Sequence, residues 1–315
     1  MALMNKGSNP ELSLVIPVYN EAESVSELHA ELLGILNTLG ESFEIIFIDD
    51  GSTDDTFEVL SRLKFAIIIR FARNFGKSQA LQAGFDEASG EYIITMDGDL
   101  QDDPHEIPNF LERMHDGDSD LIVGWKQRRL DPSNKKIASS FANKITNILT
   151  GVKVHDMNCC FKIYKNEVAK QLALYGDLHR FIPALVASMG YKVTEMPVNH
   201  RSRRFGTSKY GVTRLFTSLF DFSSLIFLRR FIDRPMHFFG GFGFLFGSTG
   251  FFILLYLTFL KLYWGVLISN RPLLLFGILL VLLGVQLFSL GFIGDLVIRS
   301  GPSGVRNFVI KEKKL

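Results

Sequence analysis

Asp97-Gly98-Asp99-Leu100-Gln101 follows directly on the apolar run Tyr92-Ile93-Ile94-Thr95-Met96, so acidic side chains arrive at the carboxyl end of what reads as a buried β-strand. In an open α/β sheet, that edge carries the ligand site. Two carboxylates one residue apart, with an amide oxygen two further on, are hard oxygen ligands suited to Mg²⁺ or Mn²⁺ that stays bound to a phosphate substrate. The same run also reads as a solvated turn, because Asp and Gly fill turns for backbone reasons alone. The rest of the chain has to decide between the two.

Leu12 to Tyr19 is an apolar run ending in Asn20 and Glu21, and an amphipathic stretch follows to about Leu39, the pattern of a strand, a loop and a helix. Phe43 to Ile48 is a second apolar run, closed by Asp49-Asp50-Gly51-Ser52-Thr53-Asp54, which supplies N-cap residues for a helix over Asp55 to Leu63. Phe65 to Phe71 and Tyr92 to Met96 repeat the pattern, with a helical stretch from Gly76 to Ala88 between them. Such alternation predicts an α/β fold with a largely parallel sheet. Parallel strands place Asp49-Asp50 and Asp97-Gly98-Asp99 on one sheet edge, and their joint occurrence predicts a nucleotide-phosphate and metal site. Lys77 stands near a helix start, where backbone N–H groups also favour anions. It reads as a phosphate contact or as a solvated lysine.

Two later segments have another character. Phe238 to Leu260 and Pro272 to Gly294 carry no charged side chain, and each meets the roughly 20 residues that span a hydrocarbon core. They predict a transmembrane hairpin closed by the loop Lys261 to Arg271. Gly240, Gly241, Gly243, Gly247 and Gly250 are small enough for close helix packing. Arg229, Arg230 and Arg234 precede the first span, and Arg299, Arg306, Lys311, Lys313 and Lys314 follow the second. The positive-inside bias then puts both termini in the cytoplasm. Met1 to Glu11 has no apolar signal-peptide core, which predicts a multi-pass protein of the plasma (inner) membrane with its large domain cytoplasmic. Thr213 to Ile232 mixes apolar residues with Arg214, Arg229 and Arg230, as an interfacial amphipathic helix does, and Ile137 to Leu149 is a second such stretch. The expected organisation is residues 1–212 as the soluble domain, 213–234 as a juxtamembrane helix, 235–298 as the two spans and 299–315 as a basic tail.

The formal net charge of the 315-residue chain is only +1, which gives no global reason to expect nucleic acid as a partner. The only two cysteines, Cys159 and Cys160, are adjacent. Vicinal cysteines rarely make a strain-free disulfide, and without a CxxC spacing or clustered histidines zinc is not expected. Both read as structural.

Val15-Ile16-Pro17-Val18-Tyr19-Asn20-Glu21, Ile48-Asp49-Asp50-Gly51-Ser52-Thr53-Asp54, Arg73-Asn74-Phe75-Gly76-Lys77 and Asp97-Gly98-Asp99-Leu100-Gln101-Asp102-Asp103-Pro104 together resemble the inverting GT-A glycosyltransferases of family 2. Within them, the chain is similar to the polyprenyl-phosphate branch, which includes dolichyl-phosphate mannose synthases and bactoprenol glucosyltransferases. The resemblance covers residues 12 to 212, and the two apolar segments match the bactoprenol type. It implies a Rossmann-like GT-A domain with interfacial helices. It also implies that Pro17, Tyr19, Glu21 and Asp49 hold the uridine of a UDP-sugar; Lys77 and Asp97 are counted with them as nucleotide-sugar-binding residues. Asp97 and Asp99 match the family's metal-binding acids, with Gln101 a further ligand and Mg²⁺ or Mn²⁺ the cofactor; Asp99 is expected closest to the ion and counts with Asp156 as catalytic. His155-Asp156-Met157-Asn158 stands where the family places its base or acceptor-orienting acid, Asp156 being the candidate and His155 a neighbour. Lys126, Lys135 and Ser139 align with acceptor-phosphate contacts, and Arg201 to Tyr210, with Arg201 and Arg204, resembles the basic loop near the active site. Lysines stand where arginines are common in the dolichyl type, so bidentate phosphate contacts are lost there.

The implied reaction is transfer of a sugar, glucose as first choice, from a UDP-sugar to a polyprenyl (undecaprenyl-type) phosphate at the cytosolic membrane face. Mannose, a modified aminoarabinose, or a non-catalytic sugar-nucleotide-binding scaffold are the alternatives. A processive polysaccharide synthase is disfavoured, since no Gln-x-x-Arg-Trp motif occurs and two spans are too few for a channel. Homo-oligomer formation is left open.

Overall fold

The computed structural model describes residues 10–127, 152, 154–202, 235–265, 267 and 272–300. In chain order its elements are β1 (Leu12–Val18), α1 (Val25–Leu39), β2 (Phe43–Asp49), α2 (Thr56–Leu60), β3 (Ile67–Arg70), α3 (Lys77–Glu87), β4 (Tyr92–Thr95), α4 (Ile107–His115), β5 (Leu121–Lys126), β6 (Lys162–Lys165), α5 (Asn166–Gln171), α6 (Ile182–Ser188), β7 (Val193–Val198), α7 (Pro235–Trp264) and α8 (Pro272–Ser300). Short 3₁₀ turns cover Pro104–Glu106 and Leu178–Phe181. The chain folds as two units, residues 1–222 and 223–315.

In the first unit, seven strands form one sheet in the order β3-β2-β1-β4-β6-β5-β7. The central strands are apolar on both faces: Leu12, Leu14, Val15, Ile16 and Val18 of β1, and Ile45 to Ile48 of β2, are all buried. That is the expected pattern for a sheet covered on both sides. The parallel register pairs Val18 with Asp49 across β1 and β2, and Val15 with Thr95 across β1 and β4. The acids after β2 and β4 therefore share one edge. One strand departs from the parallel expectation, for β6 runs antiparallel to both β4 and β5. Segment 127–161 leaves the carboxyl end of β5 and must enter β6 from that same edge, so β6 starts where its neighbours finish. Asp156 reaches the edge ahead of a strand, whereas Asp49 and Asp97 reach it behind one.

The helix expected over Asp55 to Leu63 is the shorter Thr56–Leu60, after which Arg62 and Leu63 N–H bond three residues back, to Val59 and Leu60; ahead of it Asp54 Oδ1 accepts the Thr56 N–H at 3.0 Å and its hydroxyl at 2.5 Å.

In the second unit, α7 and α8 are long and apolar enough to cross a membrane, with mean hydropathies of 1.8 and 2.6. They pack backbone to backbone: a Cβ on Gly284 would lie 2.6 Å from Gly247 Cα, and one on Gly250 would lie 2.7 Å from the Gly277 carbonyl oxygen. Gly241 faces open space and takes no part. Helix α8 continues through Arg299 to Ser300. The expected amphipathic stretches, Thr213 to Ile232 and Ile137 to Leu149, and residues 301–315 of the tail lie outside the described residues.

Candidate active site

At the carboxyl edge, the β1 and β2 loops are knitted together by local polar contacts. Asn20 adopts φ +53°, a left-handed conformation that Asn tolerates better than most residues. Its N–H donates to Ser52 Oγ at 2.9 Å and its Oδ1 accepts the Thr53 N–H at 2.8 Å. Glu21 N–H donates to Thr56 Oγ1 at 2.8 Å, and its carboxylate accepts the Ser24 hydroxyl at 3.1 Å. Pro17, Tyr19 and Glu21 are half-buried along this rim.

The two acids after β2 have different work. Asp49 is fully buried; Oδ1 accepts the Ser52 N–H at 2.8 Å, and Arg70 Nε stands 3.6 Å from Oδ2. Asp50 clamps the loop before α3, accepting the N–H groups of Phe75 and Gly76 at 2.7 and 2.9 Å. Burial raises its carboxyl above the ordinary value, and those two bonds offset only part of that rise. Gly51, at φ +68°, makes the approach feasible, since a Cβ there would sit 2.3 Å from the Arg73 carbonyl carbon. The clamp fixes where Lys77 begins its helix.

Lys77 is ion-paired with Asp97 Oδ1. Burial works to raise the Asp97 carboxyl, but Lys77, then Lys126 and the Cys160 thiol, outweigh it and hold Asp97 well below the usual carboxylate range. The Asp97 side chain is still 32% exposed, open enough to meet a ligand. Gly98 lies against β1, where a Cβ would come within 2.6 Å of Val18 Cγ1. Leu100 is held at φ +63°, a conformation that costs an L-residue about 1–2 kcal/mol and that persists at sites where the surroundings over-determine it. Next to it, Asp99 is buried and its Oδ1 accepts the Gln101 N–H at 3.1 Å. Asp97, Asp99 and Gln101 lie on this one turn, and their side-chain oxygens are hard donors of the kind a divalent oxophilic cation takes.

Asp102, which the sequence reading left without a role, is the hub behind that turn. It is fully buried; Oδ1 is 2.8 Å from the Lys126 ammonium and Oδ2 accepts the Asp97 N–H at 3.2 Å. Burial alone would lower Lys126, but Asp102 overrides it and raises the ammonium above its ordinary value. Asp102 also forms an antiparallel bridge with His200. Beyond it, Arg201 N–H donates to the Gln101 carbonyl at 2.9 Å. The Arg201 guanidinium grips Glu31 of α1 at 2.9 and 2.7 Å and Asp103 at 2.6 Å. Glu31, Asp103 and His105 cluster here, and Arg201 is the counter-charge that holds them. Asn199 is pinned to Glu106 at 2.7 Å. Sequence offered no signal for Glu31, which lies 170 positions from Arg201.

Asp156 is 2% exposed, just ahead of β6. His155 faces outward, stacked on Trp125 at 4.2 Å with both its ring and its N–H bound to Glu195. The buried Lys162 ammonium donates to the Cys159 carbonyl, and burial holds it below its ordinary value. Both cysteines are free and buried, with burial pushing each thiol up to about 12. The structure therefore brings Pro17, Tyr19, Glu21, Asp49, Lys77, Asp97, Asp99, Gln101, Lys126, Asp156 and Arg201 to one unit. Lys135, Ser139 and Arg204 lie outside the described residues.

The model of the Glycosyl transferase family 2 matches residues 13–173. The dodecaprenyl-phosphate galacturonate synthase of Rhizobium johnstonii is 41% identical over 298 residues, covering 92% of this chain and 88% of that protein. The undecaprenyl-phosphate 4-deoxy-4-formamido-L-arabinose transferase of Klebsiella pneumoniae is 32% identical, covering 91% and 88%. Among solved structures, glucosyl-3-phosphoglycerate synthase from Mycobacterium tuberculosis, in complex with Mn²⁺, UDP and phosphoglyceric acid, superposes with a TM-score of 0.56 at 17% identity, covering 70% of this chain and 78% of that one. That last likeness is one of fold.

Proposed function

Because the chain belongs to glycosyl transferase family 2, we propose that it transfers a sugar from a UDP-sugar to a polyprenyl phosphate at a membrane face. Glucose, the first expectation for the sugar, is not supported by the two relatives described above, which are named for galacturonate and for formamido-arabinose. A hexuronic acid is the better donor sugar, with a modified aminoarabinose second. The observation that carries the reading is the strained Asp97–Gln101 turn beside the fixed Lys77 ammonium. That turn offers hard oxygens next to one positive charge, the groups a metal-bound sugar diphosphate takes.

In this reading Pro17, Tyr19, Glu21 and Asp49 hold the uridine and Lys77 meets the diphosphate. Asp97, Asp99 and Gln101 hold Mg²⁺ or Mn²⁺, which when bound neutralises charge on the departing UDP. Asp156 orients the acceptor. A lipid phosphate is already ionised near pH 7, its second pKa being about 6, so a strong base is unnecessary. Lys126 and Arg201, with Lys135, Ser139 and Arg204, supply positive charge on the acceptor side. The two described cations there are each anchored by acids: Lys126 by Asp102, Arg201 by Glu31 and Asp103. Helices α7 and α8 are the membrane hairpin, the protein being multi-pass in the inner membrane with this domain in the cytoplasm.

The test is a panel of radiolabelled UDP-sugars with polyprenyl phosphate in liposomes. Transfer from a UDP-hexuronic acid in preference to UDP-glucose is expected. A preference for UDP-glucose would restore the first choice of sugar, and no lipid-linked product from any donor would overturn the reading.

A further inference from the structure

The chain between α5 and α6 folds back over the first turns of α3, and three α3 side chains hold it there. Gln79 Nε2 donates to the Leu174 carbonyl at 2.9 Å, and the Leu174 N–H donates to Gln82 Oε1 at 2.8 Å. Ser78 Oγ accepts the His179 N–H at 3.1 Å and stands 2.9 Å from His179 Nδ1. Ser78 is buried, and among the described residues its hydroxyl proton has no acceptor other than that ring nitrogen. A buried hydroxyl proton does not go unpaired, so Ser78 donates to Nδ1 and the ring proton is on Nε2. Nε2 itself has no hydrogen-bond partner among the described residues, and His179 is half-buried, not closed off.

Ser78 follows Lys77 directly, and the charges of Lys77, Arg180, Lys162 and Asp97 all act on the His179 ring. Burial first, and then the three cations, push the imidazole down to about 2, so it stays neutral. A neutral imidazole with a fixed tautomer is a hydrogen-bond donor that adds no charge to an already cationic corner, a use of histidine known from other active sites. No role for His179 arose from the sequence motifs.

We infer that His179 is a donor-binding residue whose Nε2–H hydrogen-bonds the diphosphate of the nucleotide-sugar seated at Lys77 and the Asp97–Gln101 turn. The inference rests on the proposed UDP-sugar reading, and the two can fail separately. Titration of the full-length protein in detergent micelles, with Mn²⁺ present, measures UDP and UMP binding directly and needs neither the right sugar nor the acceptor. His179→Ala should raise the Kd for UDP by about tenfold or more, the scale of a hydrogen bond to a charged group. UMP binding should change less than twofold. His179→Gln, which keeps an N–H near the Nε2 position, should recover most of the loss, and Ser78→Ala should show part of it. UDP binding by His179→Ala equal to the parent's would overturn the assignment and leave the reading of function standing. So would equal losses of UDP and UMP, or no recovery in His179→Gln. A parent protein that binds no UDP would sink both.

Discussion

The two halves of the sheet present their polar groups in opposite ways. In the half made of β3, β2, β1 and β4, parallel strands end in acids that find partners within or between adjacent turns, as Asp49 does with Ser52 and Asp99 with Gln101. In the half made of β6, β5 and β7, one strand is reversed, and the charges reach across to partners carried by the other half, Lys126 to Asp102 behind β4 and Arg201 to Glu31 of α1. The first half is a set of motifs. The second exists only once the chain has folded.

If that contrast holds, the heaviest single loss should come from the pairs that cross between the halves. Lys126→Met leaves Asp102 buried without its cation, and breaking a buried pair from one side costs about 3–5 kcal/mol; a denaturant midpoint no lower than the parent's would show that water, and not Lys126, satisfies Asp102. The local half should fail in chemistry while keeping its fold. Asp99→Ala is expected to slow transfer by about 10²–10³, the usual cost of losing one charge stabiliser, with unfolding unchanged, and activity within threefold of the parent would remove Asp99 from the site.

A smaller effect comes from His179. Its folded value lies below that of the unfolded chain, so the unfolded state binds the extra proton, and stability should fall as pH drops below about 6.5. The slope has a ceiling of about 1.4 kcal/mol per pH unit. His179→Gln should flatten that limb in urea titrations between pH 7 and 5, and an unchanged slope would place the dependence elsewhere. Asp156→Asn should lower transfer by about tenfold with the pH profile unmoved if the residue orients an ionised phosphate; loss of the acidic limb would make it a base instead. The smallest change is Glu31→Gln, where a partly exposed pair is worth about 1 kcal/mol or less. Its signature should be a raised acceptor KM at constant kcat, which an effect confined to the local half would not produce.

The same contrast explains what could be read in advance. The alternation of strands and helices through Met96 was legible because each element carries its own period and its own stop, down to α1 ending at Leu39. Asp97, Asp99 and Lys77 were legible as candidates because they sit where strands end and helices begin. The roles of Asp50 and Asp102 were hidden within acidic runs that look uniform in sequence, although one clamps a loop and the other a lysine. Glu31 and His179 were illegible for a different reason: each is defined by a partner about 100 or more positions away, and no periodicity reports such a distance.

The reversed strand also sets a clock. β6 is the neighbour that joins β5 to β4, yet it follows β5 only after residues 127–161 have been made. At about 5–20 residues per second, β5 leaves the ribosome seconds before the strand that will dock it, with Leu121, Ile122 and Val123 still uncovered. Strands β1 to β4 can already have paired by then. A newborn chain passes through an interval in which half of its sheet is finished and the other half presents an open, apolar edge, and that interval is when a chaperone, or a neighbouring chain, has its chance.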